Sequence, residues 1–337
     1  MTQPEQPQNL TPGREVIVVL GVGRSGTSLA MQALETLGVR VSENMIPPNV
    51  SNPKGFYEDA DIVAIHKHLL NTLTPNPSMP LREGWLNTPE AKQALAQLKV
   101  LVETQVETEA APWAFKDPRT ATFLPLWIRL FNQLKIVPRF VLAIRRPEAI
   151  IESFAQQYGN DQVFAELVFL LRTLDTLYYT GGNCHLLPYE SWFSSPQQTL
   201  QQLADFIFDQ PTDMSDKAAP VSANLNRSQN ARVQVNNPLV RELYEHLHAC
   251  VQQPEQRDAL MMRVQQQREI LASFKPWSTL AANQKQLNAQ YREQLSDATE
   301  HKKQLTACQQ QLKRQTAALK QYQLAFGDIE RLYQITE

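Results

Sequence analysis

A glycine- and hydroxyl-rich stretch follows the first apolar run of the chain. The run Val16–Leu20 is typical of a buried strand, and it is followed by Gly21-Val-Gly-Arg-Ser-Gly-Thr-Ser28 and by an amphipathic helical pattern that ends near Gly38. A strand, a glycine-rich turn and a helix N-terminus form an anion site, because unpaired amides and the helix dipole converge where the loop closes. The pattern therefore predicts that a phosphate or sulfate group binds this loop.

Three kinds of anion-binding loop fit these residues. As Gly-x-Gly-x-x-Gly the loop matches the dinucleotide fingerprint, and Glu43 falls about 20 residues on, where nicotinamide-dependent Rossmann oxidoreductases have a ribose-binding acid. As Gly-x-x-x-x-Gly it matches the ATP-binding P-loop in length, but Thr27 stands in the place of the phosphate-binding lysine. The third interpretation places the cation within the loop at Arg24, with nearby hydroxyls as further donors. Those hydroxyls belong to Ser25, Thr27 and Ser28.

A second cationic position follows another strand-like run. Phe140–Ile144 leads into Arg145, and Pro147 begins a helical pattern that contains Ser153. A guanidinium, a hydroxyl and a helix N-terminus together predict a second anion site. A pair of surface arginines with a solvent-facing serine is the alternative.

Five motifs, in this order and spacing, resemble the bacterial sulfotransferases that use 3'-phosphoadenosine 5'-phosphosulfate (PAPS) and have the P-loop sulfotransferase fold. The motifs are the loop Gly23–Ser28, the segment Asn52–Glu58, the block Lys116–Arg119, Arg145-x-Pro147 with Ser153, and Tyr189-Glu190. The resemblance extends from Val16 to Arg227 and leaves the C-terminal tail outside it.

The resemblance implies transfer of a sulfonyl group from PAPS to a hydroxyl or amine of an acceptor such as a carbohydrate or glycolipid, with PAP as product. It implies that the 5'-phosphosulfate is bound by Arg24, Ser25, Gly26, Thr27 and Ser28. It places Arg145 and Ser153 at the 3'-phosphate, with Arg227 as the loose match to a late basic loop. The alternatives are an NAD(P)-dependent Rossmann oxidoreductase that uses Glu43, and a non-catalytic nucleotide-binding scaffold.

No metal is expected at the predicted site. A magnesium-dependent NTPase needs an acid beside the phosphate loop, whereas the strand-like runs here end in Lys116, Arg145 and Tyr189. Asp117 is the nearest acid, but it lies between a lysine and a proline. Positioning and positive charge therefore have to stabilise the transferred group.

The acceptor needs a general base, and the resemblance points to Glu58. The alternative is that Glu58, Asp59 and Asp61 are first-turn acids that stabilise a helix beginning near Ala60. His66 and His68 are rival bases; they lie two residues apart on the same helical pattern, so one of them at most faces a site.

Three further residues are candidates for contact with the reacting groups or the acceptor. Lys116 is expected to stabilise the transferring oxygens, and Arg119 either binds an acidic acceptor or belongs to a structural ion pair. Trp85 either stacks on a sugar or packs against the domain. Small molecules and glycans both fit as acceptors.

Strand-like and helical patterns alternate through the first two thirds of the chain. They predict strands at Val16–Leu20, Trp113–Lys116, Phe140–Ile144 and His185–Tyr189, with helices at Ser28–Leu37, Leu124–Asn132, Pro147–Tyr158 and Pro196–Phe208. Such alternation is typical of a parallel sheet flanked by helices. We therefore expect a three-layer, P-loop-type α/β domain over residues 15–275, preceded by a disordered lead over residues 1–14.

A heptad pattern characterises the remaining residues, 276–337. Apolar side chains recur every seven residues, and a second series lies three residues after them. The first series is Leu305, Leu312, Leu319, Phe326 and Tyr333, and the second includes Cys308, Tyr322 and Ile329. This pattern predicts a long coiled-coil helix that associates with itself or with a partner helix.

Composition excludes several classes of protein. The 32 basic and 34 acidic side chains nearly balance, which argues against nucleic-acid binding. No apolar run reaches the roughly 20 residues that a membrane span needs, and the N-terminus lacks the pattern of a secretory signal. Cys184, Cys250 and Cys308 are far apart and have no metal-binding spacing, so a reducing cytoplasm is expected.

Overall fold

In the computed structural model, the described residues are 15–48, 55–74, 79–107, 111–159, 162–208, 216–221, 233–273 and 275–335. Within them the protein is an α/β structure with one parallel sheet, many helices and a long C-terminal helix. The strands are β1 (Val16–Leu20), β2 (Arg40–Val41), β3 (Trp113–Lys116), β4 (Pro138–Ile144) and β5 (His185–Pro188). The helices are α1 (Thr27–Thr36), α2 (Ala60–Leu73), α3 (Pro89–Glu107), α4 (Leu124–Leu134), α5 (Pro147–Tyr158), α6 (Gln162–Tyr179), α7 (Ser191–Ser194), α8 (Pro196–Phe208), α9 (Pro238–Gln252), α10 (Arg257–Ala272) and α11 (Lys275–Ile335).

The strand order is β2-β3-β1-β4-β5, and each neighbouring pair is parallel. After β1 the chain crosses by α1 toward the β2 edge, whereas after β4 it crosses by α5 and α6 toward β5. The carboxyl ends of β1 and β4 therefore border the crevice where the connections diverge, which is the usual ligand position in open α/β sheets. In register, Val19 lies beside Lys116 of β3 and Leu20 beside Leu142 of β4.

Helices cover both faces of the sheet. Every side chain of β1 is at most 1% exposed, which explains why this strand is an unbroken run of Val, Ile and Leu. Val16, Val18 and Leu20 pack in a core with residues of α4 and α6, whereas Ile17 and Val19 pack in a second core with residues of α1 and α8. Successive side chains of β1 point to opposite faces of the sheet, so this strand contributes to both cores.

The predicted alternation of strands and helices is confirmed, together with the parallel sheet. The bounds of β1, β3, α5 and α8 are those that the patterns predict. The edge strand β2 was missed because it has only two residues, Arg40 and Val41, which is too short for a periodic signal.

The chain divides into two compact units, Met1–Thr279 and Leu280–Glu337. The junction predicted at Lys275-Pro276 lies in the first turn of α11, a helix of 61 residues. The predicted lead over residues 1–14 is outside the described residues. None of the helices in the described ranges is at once long and apolar enough to cross a membrane.

Candidate functional site

The loop between β1 and α1 is tightly folded. Gly26 precedes α1 in the left-handed region (φ 99°), and Arg24 also has a positive φ of 73°. A Cβ at Gly26 would lie 2.6 Å from the ring of Tyr189, so only glycine fits beneath that ring. The backbone amide of Ser25 donates to the carbonyl of Val22 over 3.1 Å, which closes the turn.

The hydroxyl of Ser25 is a buried donor that a ligand could satisfy. The side chain is 1% exposed, and its Oγ has no hydrogen-bond partner among the described residues. A buried hydroxyl without a partner costs stability unless a ligand or water satisfies it. Because Ser25 lies next to the N-terminus of the ten-residue helix α1 and beside Arg24, a phosphate or sulfonate oxygen fits this donor set.

The two predicted anion sites meet. The Nε atom of Arg24 donates to Oγ of Ser153 over 2.8 Å, and a guanidinium nitrogen of Arg145 donates to the carbonyl oxygen of Arg24 over 2.9 Å. The loops after β1 and β4 therefore form one cationic site at the crevice, although the residues involved are up to 129 positions apart.

Arg145 is held in place by an aromatic ring. Its guanidinium carbon lies 4.5 Å from the centroid of the Tyr189 ring, and the residue is 6% exposed. Burial lowers the pKa of Arg145; among the neighbouring groups, Tyr189 and Glu190 raise it, whereas Arg24 and Arg146 lower it. The position of Tyr189 beside Gly26 and Arg145 comes from tertiary structure and has no signal in the sequence.

Glu58 and Lys116 form a buried ion pair. Nζ of Lys116 donates to Oε1 of Glu58 over 2.8 Å, with side-chain exposures of 3% for the lysine and 11% for the glutamate. Lys116 ends β3, in register with Val19 of β1, so the pair lies near the start of the anion-binding loop. A buried carboxylate and a buried ammonium are thus in direct contact near this loop.

Glu58 is not a helix-capping acid. The side chain of Asp59 is the N-cap of α2 and accepts from the amides of Asp61 and Ile62, each over 2.9 Å. The hydroxyl of Ser42 also donates to Asp59. The first-turn interpretation therefore holds for Asp59 and Asp61, whereas Glu58 points to Lys116.

The loop before α2 is anchored to α1. The hydroxyl of Ser28 donates to the carbonyl of Phe56 over 3.0 Å, and the hydroxyl of Tyr57 donates to Glu35 over 3.0 Å. These bonds fix the backbone that leads into Glu58. Ser28 was predicted to donate to the ligand, and the structure directs its hydroxyl to this loop. No sequence signal identified the Tyr57–Glu35 contact.

His66 belongs to the core. It is fully buried; its Nε2 accepts from Nε1 of Trp127 over 3.0 Å, and its Nδ1 lies 2.8 Å from Asp117. Because Nε2 accepts, Nδ1 carries the proton that is donated to the carboxylate. Both ring nitrogens are thus occupied, so His66 cannot act as the base without breaking this network. His68, two residues on, is exposed.

Asp117 is a structural acid. Besides His66, the backbone amide and the guanidinium of Arg119 bind the carboxylate, the latter over 2.7 Å. Burial alone would raise the pKa of Asp117, but the contacts with His66 and Arg119 outweigh burial and lower it. Of the two roles considered for Arg119, the structure shows the ion pair.

The remaining predicted residues lie apart from this crevice or outside the described residues. Trp85 is 8% exposed and packs edge-on against Phe123 in the core, so it offers little ring surface for stacking. Its exposed edge lines a cavity of about 510 Å³ bordered by α4, α6 and α10. Glu43 follows β2, which β3 separates from β1. Arg227, and Asn52 in the predicted motif before Glu58, are outside the described residues.

Comparisons with known proteins add little. No protein-family model and no curated protein matches the chain. Among solved structures, the chain is similar to the sulfotransferase domain of the olefin synthase from Synechococcus PCC 7002, with a TM-score of 0.39 and 14% identity. The match covers 72% of this chain and 91% of that domain. A similarity of this size decides nothing about function.

Within the described residues, no group of three or more His, Cys, Asp or Glu side chains is arranged to hold a metal ion.

Proposed function

We propose that this protein is a sulfotransferase that uses PAPS as donor and a hydroxyl- or amine-bearing acceptor. The observation that carries the proposal is the joining of Arg24, Ser153 and Arg145 into one cationic site at the crevice between β1 and β4. A donor with phosphates at both its 5' and 3' positions needs two adjacent anion subsites, and a 5'-nucleotide alone needs one. The strand, glycine-rich loop and helix that begin the sheet support a P-loop-type domain.

The topology disfavours a dinucleotide-binding oxidoreductase. In Rossmann folds the strand that carries the ribose-binding acid is the neighbour of β1. Here β3 lies between β1 and β2, so Glu43 is two strand spacings, roughly 10 Å, away from the loop. Glu43 is also exposed.

The donor set likewise disfavours a magnesium-dependent NTPase. Thr27 stands in the place of the lysine that binds the β- and γ-phosphates. Asp117, which directly follows β3, is the acid that could hold a magnesium ion. Its carboxylate already accepts hydrogen bonds from His66 and Arg119.

The residues present fit the donor. Arg24, the orphaned hydroxyl of Ser25 and the amides around Gly26 and Thr27 would hold the 5'-phosphosulfate. Arg145 and Ser153 would hold the 3'-phosphate, with Arg227 as a further candidate from sequence. Bound in this way, the donor supplies an electrophilic sulfur, whose sulfonyl group passes to the acceptor and leaves PAP.

Glu58 would remove the proton of the acceptor, and Lys116 would stabilise the negative charge on the leaving oxygen. The carboxylate of Glu58 would take the proton that the acceptor hydroxyl loses as its oxygen bonds to sulfur. Lys116 would donate to the oxygen that gains negative charge as its bond to sulfur breaks. Their 2.8 Å ion pair keeps both groups in place until acceptor and donor compete for them.

Ligand-dependent melting tests the proposal. Purified protein in EDTA is heated with PAP, with AMP, which lacks the 3'-phosphate, and with NAD. We expect PAP at a hundredfold excess over its dissociation constant to raise the melting temperature by about 5 °C or more, AMP less and NAD not at all. Stabilisation by NAD alone would indicate the oxidoreductase instead.

Turnover separates an enzyme from a scaffold. Protein that binds PAP is incubated with sulfur-labelled PAPS and a panel of hydroxyl- and amine-bearing acceptors, including glycans. Label that moves to an acceptor supports the proposal. Binding of PAP without transfer to any member of a broad panel would favour the non-catalytic scaffold.

A further inference from the structure

The helix α11 presents an apolar stripe to solvent along the unit Leu280–Glu337. Leu305, Leu312 and Leu319 are spaced by seven residues and are 60%, 62% and 60% exposed. Tyr291, two heptads before Leu305, is 59% exposed. Leucines at this spacing lie along one side of a helix and form one seam, which in heptad notation is position a. An exposed seam of this kind gains stability by pairing with another helix.

From residue 294 to residue 315 the other half of the seam is polar. Position d, three residues after position a, is occupied by Gln294, His301, Cys308 and Gln315, all of them exposed. A helix with apolar residues at both positions would leave these groups without partners when they are buried. A second copy in the same register places each polar layer against itself, so that two glutamines bond amide to amide. Polar core layers of this kind fix register.

Charge at the edges of the seam selects the orientation. Asp297 is at position g and Lys302 at position e of the next heptad. In a parallel pair, position g of one helix faces position e of the next heptad in the other, so each Asp297 meets a Lys302 of the second copy. In an antiparallel pair, position g of one helix would face position g of the other, and position e would face position e. All other e and g positions from residue 281 to 325 are uncharged, so no like charges face each other in the parallel pair.

We propose that α11 pairs with α11 of a second copy of this chain, parallel and in register. The two Cys308 side chains then face each other in one core layer, within reach of a disulfide bond. This inference does not depend on the proposed function, since it concerns only the C-terminal unit.

Oxidative cross-linking tests the register. The full-length protein is treated with diamide, which takes up the two electrons and two protons released when two thiols form a disulfide. We expect a covalent dimer on a non-reducing gel that the Cys308→Ser variant does not form. Cys184 and Cys250 are 3% and 2% exposed, so neither competes in the folded protein.

Two relocated cysteines provide the matched comparison, both in the Cys308→Ser background. Gln315→Cys lies in the next d layer and should cross-link as well as Cys308. Gln310→Cys is equally exposed but lies on the opposite face of the helix, at position f, and should not. Cross-linking of both would indicate random collision and overturn the proposal. Cross-linking through Cys308 but not through Gln315→Cys would indicate an antiparallel pair and would also overturn it.

Solution mass under reducing conditions tests the pairing without a cross-link. We expect light scattering to give twice the 38.4 kDa mass of one chain at micromolar concentration. The double variant Leu305→Asp/Leu312→Asp should give the single-chain mass, because it places charges in the seam. The control Gln310→Asp/Ala317→Asp adds the same charge on the outer face and should stay dimeric. A monomeric wild type, or a dimer that survives the seam variant, would overturn the proposal.

Discussion

The Nζ atom of Lys116 lies 2.8 Å from Oε1 of Glu58 and joins the end of β3 to the loop before α2. Both side chains are largely shielded from water, so each charge is tolerated only while the other is present. Neither the lysine nor the glutamate has this neighbour in sequence, since 58 residues separate them. The pair therefore makes the proposed base and the proposed stabilising cation mutually dependent.

We expect Glu58→Gln to reduce turnover by about 10²- to 10⁴-fold, the usual size of a general-base contribution. Glutamine keeps the shape and can still accept from Lys116, so affinity for PAP should change little. Single-turnover rates and PAP titrations measure the two quantities. Asp61→Asn, which removes an exposed acid from the first turn of α2, is the control and should leave turnover unchanged. Near-normal turnover in Glu58→Gln would remove Glu58 from the mechanism.

Arg145→Ala is expected to remove the preference for PAP over AMP. Loss of a charged hydrogen bond costs about 1.5–3 kcal/mol, or about 10- to 100-fold in the dissociation constant of PAP. Isothermal titration with both nucleotides measures this preference. Because Arg145 also binds the carbonyl of Arg24, Ser153→Ala serves as a second variant that leaves that contact intact.

Arg146→Ala, at the next residue, controls for the loss of one positive charge near the site. Arg146 is 42% exposed and faces Glu190 at 4.0 Å, so its removal should affect both nucleotides alike and only weakly. Equal losses for PAP and AMP in Arg145→Ala would contradict the assignment of this residue to the 3'-phosphate.

Gly26→Ala should destabilise the protein more than Gly38→Ala. Both glycines have a positive φ, 99° and 88°, so both substitutions share the backbone strain of about 1–3 kcal/mol. Only at Gly26 does the added Cβ meet a neighbour, the ring of Tyr189 at 2.6 Å, whereas Gly38 has nothing within 4 Å. Overpacking should add about 1–3 kcal/mol to the loss in free energy of unfolding, measured by urea denaturation. Equal losses at the two positions would show that the ring of Tyr189 moves aside freely.

Acid should destabilise the protein through His185. Burial, aided by the charge of Arg257, lowers the pKa of His185 from 6.5 to about 4 in the folded state. Between these values the unfolded chain binds the proton and the folded protein does not, so the free energy of unfolding falls as the pH drops from about 6.5 to about 4. The full contribution is about 3 kcal/mol.

The variant His185→Phe should lack this component while keeping the stacking on Phe206. The difference in unfolding free energy between wild type and variant is measured at pH 7.5 and at pH 4.5. A difference that does not change with pH would contradict the prediction. His68→Phe, at an exposed position of α2, should leave the pH dependence of the wild type unaltered.

The sequence by itself predicted four of the five strands that the structure describes, several of the helices that flank them, and the long C-terminal helix. The unbroken apolar run Val16–Leu20 can be satisfied only in a buried strand, and the glycine- and hydroxyl-rich residues after it have few uses other than binding an anion. The heptads of the tail are likewise local signals. Patterns of this kind depend on neighbours within about seven residues, so they can be read without a fold.

Only the tertiary structure decided which candidates lie together. By spacing Glu58 is a first-turn acid beside Asp59, whereas the fold brings the loop before α2 to the end of β3, where Lys116 pairs with Glu58. His66 looked like a possible base, yet Trp127 and Asp117 occupy both of its ring nitrogens. Arg24 meets Ser153 because β1 and β4 are parallel neighbours, so the segments that follow them lie at the same edge of the sheet. Such contacts depend on strand order and burial, which residue spacing along the chain does not contain.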